Sequence, residues 1–216
     1  MTELIRRFSP EGQVKSGRVK SGRDTVATPD EVLAFWFGCP DDPDYHQPRT
    51  AWFRKDAVFD AAIRRRFLAT VEAALAGRCS DWALDTRGAL ALVIVLDQFP
   101  RNLFRGSAAA FAGDPLARQT ADAVVSKGWH LALAPVEQLF VYLPFEHAES
   151  LADQEKMIAL TENWQGHDVL GEFHRYAVLH HDVIARFGRF PHRNAVLGRE
   201  STPDELDYLA RPGAGF

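Results

Sequence analysis

The chain has 216 residues, 25 Lys and Arg against 29 Asp and Glu, and a formal charge of −4, enough length for a sizeable core without disulfide or metal staples. This balance lacks the basic excess with which nucleic-acid binders displace phosphate counterions, and apolar runs such as 89–96 fall well short of the roughly twenty residues that cross a bilayer. Cys39 and Cys79 show no CxxC spacing, and with no signal-peptide core the expectation is a reducing, cytoplasmic setting without membrane or nucleic-acid partners.

In chain order, residues 1–27 repeat VKSGR twice, at 14–18 and 19–23, and carry six basic against three acidic residues. So few apolar side chains cannot offset ordering entropy, so a flexible basic extension is predicted. Thr28, Pro29, Asp30 and Glu31 form a helix start, with a capping hydroxyl, proline in the first turn and acids near the positive dipole end. The helix should stop at Gly38, and a Pro- and Asp-rich loop should follow to Pro48. Phe59, Ile63, Phe67, Val71 and Leu75 recur every four residues, as on one face of a helix. Leu90–Phe99 is apolar nearly all round except for Asp97 and Gln98, which predicts a central buried helix ended by Pro100.

Asp114–Pro115 should open a helix through Val125, and Pro135 another that Pro144 kinks or interrupts. Further helices are expected over 151–164 and 167–187, and Thr202–Glu205 repeats the helix-start pattern. No stretch alternates long enough to make a strand. The predicted fold is all-α: seven to eight antiparallel helices in one domain over 28–216, as a bundle or short helical array.

Chemistry is concentrated in two places. Phe99-Pro100-Arg101-Asn102 and Phe190-Pro191-His192-Arg193-Asn194 are near-repeats. Proline should take the chain abruptly out of its helix, which places a guanidinium fork and an amide at a helix end. Arg101, Asn102, Arg193 and Asn194 could thus line one anion-binding cleft, or each arginine could be locked on a carboxylate such as Asp97 or Glu146. The second place is 144–154, where Glu146, Glu149, Ser150 and Asp153 would share a face if the helix were continuous. Alternatively Ser150 caps a new helix, leaving Glu146 and His147 as the site candidates. His174 and His181 share a helical face, but HExxH, Glu-x-x-His, GxGxxG, GxxxxGK[ST] and GxSxG are all absent, so neither metal nor cofactor is expected.

LAFWFG, the Trp52-Phe53 step, LDQFPRNLFRG, YLPFEHAESLADQ and HRYAVLHHDVIARFGRFPHRN together resemble a widespread bacterial family of unknown function, grouped with tetratricopeptide-like helical folds. The resemblance spans about 28–216. It implies an all-helical array and supplies no reaction. The leading expectation is therefore a cytosolic domain that binds an anionic small molecule or peptide carboxylate. The alternatives are an acid-base enzyme, such as a hydrolase, using Glu146 with His147 or His181, and a protein-interaction scaffold. The oligomeric state is left open.

Overall fold

A computed structural model describes residues 25–43 and 45–215; the predicted extension lies almost wholly outside them. The described residues form helices and turns, with no strand among them. The α-helices are α1 (Pro29–Phe37), α2 (Thr50–Phe53), α3 (Ala57–Leu75), α4 (Thr86–Val93), α5 (Phe99–Leu103), α6 (Asp114–Ser126), α7 (Pro135–Glu146), α8 (Leu151–Thr161), α9 (Leu170–Phe187) and α10 (Pro203–Leu209). From α6 to α9 each helix packs on the next, while α4 is covered by α1, α6 and α7. The array is thus built of sequential neighbours around one central helix.

Local chemistry sets most of the boundaries. Thr28 caps α1 and Glu31 returns the bond to its N–H; Thr202 and Glu205 do the same for α10. Asp56 accepts from the N–H groups of Val58 and Phe59, and Ser150 caps α8 through Asp153 N–H. Each cap satisfies donors that the first turn leaves without a helical partner. The core is strongly aromatic: the Phe140 ring lies 4.8 Å from Trp52, 5.3 Å from Trp36 and 5.5 Å from Phe37, all near edge-to-face. Such pairs add directional preference to burial.

Neither Phe-Pro step ends an α-helix as expected. Residues 86–103 form one helical run whose middle, Ile94–Gln98, is a π turn, and Phe99 N–H reaches back five residues to Ile94 O. The wider turn accommodates Pro100, which lacks an N–H and whose ring would clash with the Leu96 carbonyl in a regular α-helix. That carbonyl is instead packed under Gly113, where an added Cβ would sit 2.1 Å from the oxygen. At the second step α9 has already ended, at Gly188 in the left-handed region (φ +70°), and Pro191 opens a short 3-10 turn, Pro191–Arg193. Pro144 does not break α7, which continues to Glu146. The chain then leaves the helix at His147, so Glu146, Glu149 and Asp153 share no continuous face.

Candidate functional site

A cavity of about 450 Å³ lies between α2, the end of the 86–103 run, α7 and α9. One side is aromatic, from Trp52 and Phe53 on α2 and Phe173 and Tyr176 on α9. The other is polar. The π turn and α5 bring Gln98, Arg101 and Asn102, the end of α7 brings Glu146 and His147, and α9 adds His180. Pro144 inside α7 and the π turn in the central run both lie within a few residues of this polar side, and π turns are concentrated at functional sites.

Asp97, wholly buried behind the cavity, organises the polar side. His147 Nδ1 lies 2.8 and 3.0 Å from its two carboxylate oxygens, and Gln98 Nε2 donates to Oδ2. Arg101 Nη1 is 3.2 Å from Oδ1 and donates to the Asp97 carbonyl at 2.7 Å. Burial alone would raise the Asp97 pKa, but the charge of Arg101 and the hydrogen bonds it accepts from His147 and Gln98 hold it down to about 2. Glu146 shows the opposite result. Burial, reinforced by the negative charge of Asp97, pushes its carboxyl up to about 8, so it stays protonated at neutral pH.

The two cavity histidines are kept neutral. His147 is lowered by burial and by Arg101, against the pull of Asp97. Its Nδ1–H donates to Asp97, which leaves Nε2 as the basic nitrogen of the ring. His180 is driven down to about 3, chiefly by burial; its Nδ1 donates to the Tyr176 carbonyl at 2.9 Å and lies 3.5 Å from Glu146 Oε1.

The predicted site residues separate into two groups. Arg101, Asn102, Glu146 and His147 line the cavity; Asn102 Nδ2 also donates to Asp60 at 2.7 Å. Arg193, Asn194 and His181 do not line it. Arg193 is buried between the rings of Phe111 and Phe190, 4.7 and 4.4 Å from their centroids, and donates to the His147 carbonyl at 3.0 Å. Burial, together with the nearby charge of Arg101, lowers its pKa to about 10. Asn194 donates to Ser201 and Glu205 and accepts from Arg199, and His181 pairs with Asp182.

The two Phe-Pro arginines nevertheless meet. Arg101 forks onto Asp114 at 2.7 and 3.1 Å, Arg193 Nη1 lies 3.8 Å from the same carboxylate, and both guanidiniums sit over Phe111. Sequence reasoning left Asp97 and Gln98 out of the site, although two polar residues in an otherwise apolar helix were a usable signal. Phe173, Tyr176 and His180 fall along one side of α9 in the sequence, a pattern that reads as a packing face rather than as a site.

Among the described residues, no group of three or more His, Cys, Asp or Glu is arranged to hold a metal ion, and no helix is long and apolar enough to cross a membrane. Fold and site define an all-helical array with one mixed polar and aromatic cavity at the end of its central helix. The chain belongs to the family described as "Bacterial protein of unknown function (DUF924)", whose match covers residues 32–213. It is similar to the protein of unknown function ATU0120 from Agrobacterium tumefaciens, with a TM-score of 0.74 and 39% identity, covering 84% of this chain and 96% of that one. No match was found among curated proteins.

Proposed function

We propose that the cavity is the active site of an acid-base enzyme acting on a small molecule, with Glu146 as the acid and His147 as the base. The observation behind this is the division between two neighbouring carboxyls: Asp97 is held ionised near 2 and Glu146 protonated near 8. Environments that drive paired titratable groups apart mark acid and base roles. Asp97 fixes the His147 ring through Nδ1, as carboxylates orient catalytic imidazoles, so that Nε2 can take a proton from a bound substrate. Glu146 can give one to the group that gains charge. Arg101 stabilises the ionised Asp97 and adds positive potential beside the reacting atoms.

This reading is preferred to an anion clamp built from both Phe-Pro arginines, because Arg193 is stacked between rings and does not line the cavity. It is tested first by the ¹³C chemical shift of the Glu146 carboxyl as a function of pH, with a midpoint near 8 expected. A midpoint in the ordinary carboxylate range overturns it. For any substrate that a panel of esters, amides and hydroxy acids reveals, E146Q and H147N should each lower turnover by about 10²–10⁴-fold with thermal stability retained. Unchanged turnover in either variant removes that residue from the chemistry.

A further inference from the structure

The distribution of charge around the cavity narrows the substrate class. Arg101 and Arg105 both line it, whereas the acids that bind them, Asp97, Asp114 and Asp60, are not among the lining residues. Those acids engage the two guanidiniums from the protein side: Arg105 donates through Nε and Nη2 to Asp60, and Arg101 through Nη1 and Nη2 to Asp114. Arg101 Nε and Arg105 Nη1 have no hydrogen-bond partner among the described residues. Of the two lining glutamates, Glu172 pairs with the exposed Arg175, and Glu146 presents a donor at neutral pH. The groups that line the polar side are therefore mostly hydrogen-bond donors, with the balancing acids outside the lining.

The opposite side asks for an apolar partner. Phe53 is 52% exposed and Tyr176 42%, a large amount of aromatic surface for one small region, and the Phe53 and Phe173 rings lie 5.6 Å apart. Ligand sites commonly join such a wall to a few placed polar groups. We infer that the cavity takes a small carboxylic acid with a flat apolar body, its carboxylate toward Arg101 and Arg105 and its body against Phe53, Phe173 and Tyr176. The assignment rests on the cavity being a small-molecule site, and it excludes amines and large charged polymers as substrates. Glu146 supplies the specificity: protonated, it donates to a bound carboxylate, and ionised, it repels one.

Isothermal titration calorimetry with 3-phenylpropionate, 3-phenylpropionamide, 3-phenylpropylamine and acetate tests each half separately. The acid should bind at least tenfold more tightly than its amide or amine, and tenfold more tightly than acetate. R105Q, at a partly exposed arginine, and F173A should each weaken the acid at least fivefold with the fold intact by circular dichroism. Raising the pH from 6.5 to 9 should weaken the acid in the wild type, and E146Q should remove that dependence. An amide or amine that binds as well as the acid overturns the anionic head, and equal binding of acetate overturns the apolar body. No binding of any probe while Glu146 titrates near 8 sinks the substrate class alone. Tight carboxylate binding with Glu146 titrating in the ordinary range sinks the acid-base assignment and the part given to Glu146 in specificity, and leaves the two arginines as the carboxylate site.

Discussion

The segments 96–106 and 186–198 share a Phe-Pro step followed by arginine and asparagine, yet they do different work. In the first, proline sits inside a helix widened to receive it, and Arg101 and Asn102 face a cavity. In the second, proline follows a helix already closed by glycine, and Arg193 and Asn194 tie the C-terminal turns to the body through His147, Ser201 and Glu205. The two arginines meet on Asp114, one at the edge of a hollow and one stacked between rings. A short motif thus fixes the chemistry available, and the residues packed around it decide whether that chemistry faces a cavity or holds the fold.

Truncating the second arginine tests that contrast most severely. R193A should cost about 1.5–3 kcal/mol in urea unfolding, the range for losing a buried hydrogen bond from a charged group, while leaving the Glu146 midpoint near its wild-type value. A loss below about 1 kcal/mol would show that the second segment is not a structural lock. Next in size is G113A. Its added Cβ meets the Leu96 carbonyl, and overpacking of this kind costs about 1–3 kcal/mol; because the strain falls on the π turn, ligand affinity should drop as well. Unaltered stability and affinity would show that the turn adapts without that glycine.

The pH dependence of stability separates the cavity from the rest of the molecule. Glu146 has an ordinary value of 4.5 and is raised to about 8. Between these values the unfolded chain has released a proton that the folded chain retains, so stability falls as pH rises across this window, by up to about 1.4 kcal/mol per pH unit. Above about pH 6.5, where His180 no longer adds an opposing slope, E146Q should flatten that decline in urea melts taken from pH 6.5 to 8. At the acid end the sign reverses. His180, lowered from 6.5 to about 3, and Asp97, lowered from 3.8 to about 2, both leave the unfolded chain holding more protons, so stability is lost as pH falls through those windows. The smallest effect belongs to H181A. With His181 paired only to an exposed aspartate, stability and carboxylate affinity should stay within about 0.5 kcal/mol of wild type.

Much of the fold was legible because its signals are local. Thr28, Ser150 and Thr202 declare helix starts through a hydroxyl and a following acid, and the four-residue apolar spacing of α3 states its buried face. The π turn was not legible, since the Leu96 carbonyl it frees is packed under Gly113, which lies beyond the next helix. Glu146 and His147 stood out as polar residues after a long apolar helix, and Arg101 by its place after a Phe-Pro step. Nothing within either Phe-Pro segment distinguishes Arg193 from Arg101, because the aromatic rings and carboxylates that separate them come from elsewhere in the chain.

The widened turn at Ile94–Gln98 also sets a phase. Each residue of an α-helix advances about 100° around the axis, so one residue removed from this segment would swing everything beyond it by more than a quarter of a circle. Asp97 would keep its place in the interior while Arg101 and Asn102 rotated off the hollow. One rod thereby lies in the core along its first half and borders the cavity along its second, and the offset between the halves is one amino acid.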